Sequence, residues 1–245
     1  MVKKILAIAF AVIADAGRRK VVWVVIVFAA ILAVAIPGLP SYGEGVAPAV
    51  FREVSIALIY SAALIVALAL SVLRIPSEVE RRTVFNIVTR DVRRWQYVAG
   101  TWIGMFVVLG LVIAAFTFAT IGIGALNYSE VMWRLFEASF AVWLEIGVIM
   151  ALAVMLSCAF GPVTSSVGAL AFAFIGHSIV GLMNLPVTQR APWYIPGLDV
   201  FNVINPVAHG TGYGPAYAAS MVAVFAAWVL LLLMGGAALF ARRDL

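Results

Sequence analysis

Two ionisable residues interrupt a long apolar stretch of this sequence, and their types suit proton transfer or polar pairing. Glu145 and His177 both lie in the run from Ala138 to Gln189. A carboxyl group in an apolar environment is costly, so it is expected to face protein or a wet cavity and to pair with a polar neighbour. We therefore predict that Glu145 and His177 form an intramembrane polar pair near the outer third of a helix bundle. A structural contact is the first interpretation, and a substrate- or proton-linked role stays open.

Other kinds of chemistry are disfavoured by what the sequence lacks. The pattern Gly-x-x-x-x-Gly-Lys-Ser/Thr, whose backbone cradles nucleotide phosphates, does not occur, so we expect neither ATP binding nor enzyme activity in this chain. Cys158 is the single cysteine and cannot form an internal disulfide or a zinc cluster. His209 and the methionines offer no ligand pair at helical spacing. We expect no bound metal and no cofactor.

The composition indicates that lipid is the solvent for much of the chain. Hydrophobic residues make up 65% of the sequence and charged residues 11%, which is more apolar surface than a 245-residue soluble domain can bury. The formal net charge is +5, but the basic residues form short clusters beside uncharged runs, as in cytoplasmic loops. This pattern argues against nucleic-acid binding.

Charge-free runs predict the membrane-crossing segments. A helix rises about 1.5 Å per residue and needs about 20 apolar residues to cross roughly 30 Å of hydrocarbon. The run from 138 to 189 is too long for one crossing, and Gly161-Pro162 supplies a turn that divides it. We predict an all-α, polytopic membrane protein with a single transmembrane domain over residues 1–245. Its six predicted spans cover about 21–40, 54–73, 98–123, 139–160, 163–185 and 216–240.

The distribution of basic residues predicts the orientation. Of the 16 lysine and arginine residues, all but Arg52, Arg134 and Arg190 fall on one side of this six-span arrangement. Translocation disfavours basic loops, so both termini are expected in the cytoplasm of a cell with this chain in its inner or plasma membrane. The outer loop, 186–215, holds five of the ten prolines and is expected to form short or re-entrant helices.

The first 20 residues imitate a secretory signal peptide, with Lys3 and Lys4 before an apolar run and a small-residue end. A basic cluster, Arg18, Arg19 and Lys20, follows directly and precedes a second apolar run. We therefore expect residues 1–20 to form an uncleaved helix on the membrane surface.

The most charged segment lies between the second and third predicted spans. Ser77 and Glu80 form a capping box after Pro76, which predicts a helix over about 77–90. An apolar patch that includes Phe85 makes this helix amphipathic, so it suits a partner groove. The alternative is an interfacial helix lying on anionic lipid.

At these residues the chain resembles the permeases of type-2 ATP-binding cassette (ABC) exporters, especially the group that includes the permease for nitrous-oxide-reductase maturation. The resemblance covers nearly the whole chain, and its most specific part is Glu78-Val-Glu80-Arg-Arg-Thr83, followed by Arg94-Trp-Gln-Tyr-Val-Ala-Gly100. It implies that 77–90 is the coupling helix that docks on the ATPase subunit, and that the segment with Arg18, Arg19 and Lys20 is the connecting helix. The residues it implies for docking are Glu78, Glu80, Arg81, Arg82, Thr83, Phe85, Arg90 and Arg94. Those implied to line the path under the outer loop are Trp193, Tyr194, Phe201 and Asn202.

The resemblance also implies the partners. It predicts a cytosolic ABC ATPase that binds ATP and magnesium, and a second permease copy, identical or related, across a two-fold axis. A proton-coupled secondary transporter using Glu145 and His177 is the main alternative, although no internal repeat relates the two halves of the chain. A membrane-embedded enzyme is the third possibility. The fold class does not identify the transported substrate.

Overall fold

The computed structural model describes residues 2–18, 27–28, 30–31, 46–72, 74, 93–128, 130–183 and 197–242. Within these ranges the chain is almost entirely helical and contains no strand. The helices are α1 (Val2–Arg18), α2 (Val46–Val72), α3 (Arg94–Tyr128), α4 (Leu135–Ser157), α5 (Pro162–Met183), α6 (Ile204–Ala208) and α7 (Pro215–Arg242). A 3-10 turn, Leu198–Phe201, precedes α6.

Four of the described helices, α2, α3, α4 and α7, are long and apolar enough to cross a membrane. They fall on the second, third, fourth and sixth predicted spans, and α5 falls on the fifth. The chain is therefore an all-helical membrane protein, and the full set of six spans stays a prediction. The first predicted span, 21–40, lies almost entirely outside the described residues.

The helices extend beyond the predicted spans at several ends. α2 begins at Val46 rather than Val54, and α3 runs for 35 residues, more than the roughly 20 that a crossing requires. Polar residues occupy these extensions: Arg52 near the start of α2, and Asn127 near the end of α3. Their helical turns are polar, so hydropathy alone did not include them.

The long apolar run is interrupted near Gly161-Pro162. α4 ends at Ser157 and α5 begins at Pro162, with a turn between them. Proline suits the first position of a helix because its missing N–H would have no intrahelical partner there. Cys158 lies buried in this turn.

α4 is the central helix of the bundle. In the most apolar 18-residue stretch of α4, 78% is buried inside the protein, whereas the corresponding stretch of α7 is 17% buried. α4 packs against α2, α3, α5 and α7. A polar side chain on α4 is therefore surrounded by protein rather than by lipid.

α1 packs closely along the beginning of α3. A Cβ atom on Gly104 would lie 2.6 Å from Val12 Cβ, and one on Gly100 would lie 3.0 Å from the Ile5 carbonyl oxygen. Gly100 and Gly104 thus make a close helix contact, with α1 as the partner. A Cβ atom on Gly161 would meet nothing within 4 Å, so Gly161 makes no such contact.

Candidate functional site

A polar cluster joins three helices in the middle of the bundle. Tyr60 of α2, Glu145 of α4 and His177 of α5 meet there. His177 Nε2 lies 2.6 Å from Glu145 Oε1, and the Tyr60 hydroxyl donates to the same oxygen at 3.2 Å. His177 Nε2 also lies 3.1 Å from the Tyr60 hydroxyl. The structure therefore brings together the two residues singled out in the sequence and adds a third.

The two carboxylate oxygens of Glu145 are used differently. The Glu145 side chain is only 3% exposed, whereas the His177 side chain is 34% exposed. Both bonds to the carboxylate end on Oε1, and among the described residues Oε2 accepts none. One oxygen is thus held by protein, and the other is left for a further donor.

The cluster forms one wall of a cavity of about 230 Å³. Its polar lining comes from Tyr60, Ser61, Glu145, His177 and Asn202. Its apolar lining comes from Ile56, Ala57, Ala138, Val142, Phe201, Val203 and Ile204. The cavity is below the usual 300–1,000 Å³ of drug-sized pockets, so it suits a small ligand or ordered water.

Asp199 adds a second acidic group beside this cavity. Its carboxylate interacts electrostatically with both Glu145 and His177. Its Oδ2 atom is buried and has no hydrogen-bond partner within the described part of the chain. No lysine or arginine is among the described residues that line the cavity, so Glu145 and His177 are its ionisable lining groups there and Asp199 is an additional acid.

The loop before α7 places Phe201 and Asn202 against the cluster. Phe201 ends the 3-10 turn and is buried, and Asn202 follows it at the cavity wall. The prediction of short helices in the outer loop is confirmed over 197–214, where the turn and α6 are the helical elements. Trp193 and Tyr194, predicted to line the same path, lie outside the described residues.

Two members of the site were not found from the sequence. Tyr60 lies in a charge-free run, and a tyrosine in an apolar helix is usually part of the core. Asp199 lies in the predicted outer loop, and no role was assigned to it. A search for any polar side chain in the interior of a predicted span would have identified Tyr60.

The predicted coupling helix, 77–90, lies entirely outside the described residues, as do Arg19 and Lys20. Arg94 is described, and its guanidinium donates to the carbonyls of Phe240 and Ala241 at 3.0 and 2.9 Å. Arg18 is the last residue of α1. On the other side of the coupling segment, Arg74 forms a 3.0 Å ion pair with Asp15 of α1.

A separate polar cluster lies where α4 begins and the chain approaches α7. The Tyr213 hydroxyl donates to the Glu137 carbonyl at 2.9 Å, and Arg134 donates to the Thr211 carbonyl at 2.8 Å. Burial, and secondarily the Glu137 carboxylate, raises the pKa of Tyr213 to about 12. These contacts fasten the loop before α7 to α4.

The described residues contain no group of three or more His, Cys, Asp or Glu side chains arranged to hold a metal ion.

The model of one protein family, described as "Protein of unknown function (DUF2705)", matches residues 6–245. The chain therefore belongs to this family. No curated protein matches the chain.

Proposed function

We propose that this member of the DUF2705 family is the membrane-spanning permease subunit of an ABC exporter. In this proposal a separate cytosolic ATPase binds ATP and magnesium and supplies the energy, and the chain itself is not an enzyme. The permease crosses the cell membrane six times with both termini in the cytoplasm. It pairs with a second permease copy, because one bundle of this size does not enclose a path alone.

The observation that carries the proposal is the attachment of the charged segment at both of its ends. On the side of α2, Arg74 pairs with Asp15 and so connects the segment to α1. On the side of α3, Arg94 binds carbonyls in the last turn of α7, whose oxygens have no helical partner. A force applied to residues 75–92 by a docked ATPase would therefore reach α1, α2, α3 and α7 together.

The resemblance of Glu78 to Thr83 to a coupling helix supports the same reading. Its acidic residues at the start of a capped helix favour helix formation, and its apolar patch suits a groove on a partner. A surface helix resting on lipid would not require rigid attachment to several membrane helices.

Co-purification tests the docking step. Extracted in mild detergent from its native membrane, the chain is expected to bring down a phosphate-loop ATPase. The double charge reversal Glu78→Lys, Glu80→Lys should release the ATPase, whereas Glu130→Lys, a reversal at an exposed residue near the opposite end of α3, should not. If the unaltered chain captures no such ATPase, the proposal is wrong.

A reconstituted complex tests the coupling step. Arg94→Ala should leave the ATPase bound but should abolish the change in ATP hydrolysis that the permease causes. The reason is that this variant loses the contact between α7 and the end of the charged segment. Arg93→Ala is the matched control, because its side chain is exposed and precedes the helix. Equal coupling in the two variants would contradict the role given to Arg94.

The second candidate is a proton-coupled secondary transporter, which the contact between Glu145 and His177 favours. A secondary transporter works in vesicles that contain the chain alone. Uptake or efflux driven by a proton gradient without ATPase, and lost in Glu145→Gln, would replace the exporter proposal with this one.

A further inference from the structure

We propose that the cavity beside Glu145 is a binding site for a small organic cation, in which a primary ammonium group is attached to an apolar body. This inference goes beyond the exporter proposal and does not depend on it. It rests on the open carboxylate oxygen, the charge of the cavity, its acceptors and its size.

The open oxygen provides the first contact. Glu145 Oε1 is occupied by His177 and Tyr60, while Oε2 accepts no bond from the described residues. Glu145 lines the cavity, so a ligand there can reach this oxygen. An N–H donor in the cavity would satisfy it, and a charged donor would do so more strongly than a neutral one.

The charge of the cavity decides the sign of the ligand. If His177 carries a proton, it neutralises Glu145 and leaves Asp199, which interacts with both residues, as an excess acidic group. If the shared proton lies on Glu145 instead, the pair is neutral and Asp199 remains the excess acidic group. Because no described lysine or arginine lines the wall, a cation is favoured and an anion is repelled.

The remaining acceptors match an ammonium group. The Ser61 hydroxyl donates its hydrogen to the Ala57 carbonyl at 2.8 Å, so its oxygen is left as an acceptor towards the cavity. Asn202 Oδ1 holds a single 3.4 Å bond from the Ile204 amide and retains a second lone pair. An ammonium group has three donors and no acceptor.

The size and the rest of the wall define the body of the ligand. About 230 Å³ admits a compact molecule, and the apolar part of the lining includes Ile56, Val142 and Phe201. A body that is apolar and the size of one aromatic ring would cover these side chains.

Calorimetric titration tests the inference on the purified chain in lipid nanodiscs without any ATPase, with empty nanodiscs as the background. The probe is benzylammonium, and benzyl alcohol is its neutral counterpart. We expect saturable binding of one benzylammonium per chain, at least about tenfold tighter than benzyl alcohol, as a charged hydrogen bond implies. Equal binding of the two probes would overturn the inference.

Two variants locate the site. Glu145→Gln should weaken benzylammonium binding by about tenfold or more and leave benzyl alcohol unchanged. Ala57→Phe should obstruct the cavity without altering the polar cluster, since Ala57 is an exposed lining residue, and Ala69→Phe is the control at an exposed position of α2 away from the cavity. If Glu145→Gln does not fold, the comparison of Ala57→Phe with Ala69→Phe decides. Unchanged binding in Ala57→Phe would place the ligand elsewhere and overturn the inference, whereas the exporter proposal is decided by ATPase capture alone.

Discussion

At the scale of single residues, the contact between Glu145 and His177 should appear as a coupling free energy. Each residue alone is a polar group placed among apolar helices, and each is satisfied by the other at 2.6 Å. Removing one leaves the other with Tyr60 as its only remaining partner in the cluster, so the second removal should cost less than it does in the unaltered protein. The double replacement with alanine should therefore be less damaging than the sum of the singles by about 1 kcal/mol or more.

Denaturant titration in mixed micelles measures this cycle through the free energy of unfolding. The control is a cycle between Glu145 and Ser220. The exposed Ser220 hydroxyl donates to the Tyr217 carbonyl within α7. That control should be additive within about 0.5 kcal/mol. Additivity in the Glu145 and His177 cycle as well would exclude an energetic interaction between the two.

Tyr213 gives a prediction for stability against pH. Its pKa is raised from 10.0 to about 12 in the folded protein, so the unfolded chain loses this proton at a lower pH than the folded chain does. The stabilisation is complete below pH 10 and should decline between pH 10 and pH 12. Tyr213→Phe removes this part of the decline.

Unfolding followed by circular dichroism over that pH range, together with the tyrosinate absorbance, measures the effect. The curve of stability against pH should be shallower in Tyr213→Phe than in the unaltered chain. Parallel curves for the two proteins would show that the hydroxyl titrates equally in both states.

Only part of the site could be predicted from the sequence. Glu145 and His177 were identifiable because an ionisable residue in an apolar run is a strong signal. Tyr60 carries no charge, so neither composition nor periodicity distinguishes it from a core aromatic. Arg94 was assigned to docking, but the structure shows it bonded to backbone carbonyls of α7. Because every residue has a backbone carbonyl, the sequence does not indicate such a contact.

At the scale of helices, the close packing of α1 against α3 depends on Gly104. A Cβ atom there would lie 2.8 Å from the Ala9 carbonyl oxygen as well as 2.6 Å from Val12 Cβ, and backbone cannot move aside as a flexible side chain can. Gly104→Ala should therefore destabilise the protein by about 1–3 kcal/mol, the usual cost of overpacking.

Thermal unfolding in detergent measures this difference. Gly122→Ala is the matched control on the same helix, because a Cβ atom at Gly122 would meet nothing within 4 Å. That variant should be neutral or slightly stabilising, since alanine has the higher helix propensity. Equal melting temperatures for the two variants would mean that α1 is not held against α3 in solution.

Helix positions were predictable, and helix partners were not. A charge-free run of sufficient length indicates a span whatever it packs against, so α2, α3, α4 and α7 were found from hydropathy. A spacing such as that of Gly100 and Gly104 permits a close contact, but it does not identify the helix that approaches. The structure identifies α1 as this partner. The contact joins two segments that are far apart in the sequence, so local sequence patterns do not predict it.

At the scale of the whole molecule, the described arginine contacts lie at two ends of the bundle. One end contains the contact between Asp15 and Arg74 and the contact between Arg94 and the end of α7. The other contains the contact between Arg134 and Thr211, beside the start of α4. Among the described residues, Arg74 and Arg94 lie at the first end, and Arg52 and Arg134 lie at the second with Glu130 and Glu137 beside them. The orientation predicted from the basic residues places the first end in the cytoplasm.

Single cysteines test that orientation. In a Cys158→Ser background, Glu130→Cys should react with a membrane-impermeant maleimide in intact cells, and Lys3→Cys should react only after the cells are permeabilised. Both side chains are exposed, so access to the reagent decides the result. The chain with Cys158 alone is the control, since a buried thiol should stay unlabelled in both conditions. The opposite labelling order would place the charged segment outside the cell, beyond the reach of a cytosolic ATPase. That result would remove the basis of the exporter proposal, but it would not bear on the proposed cation site beside Glu145.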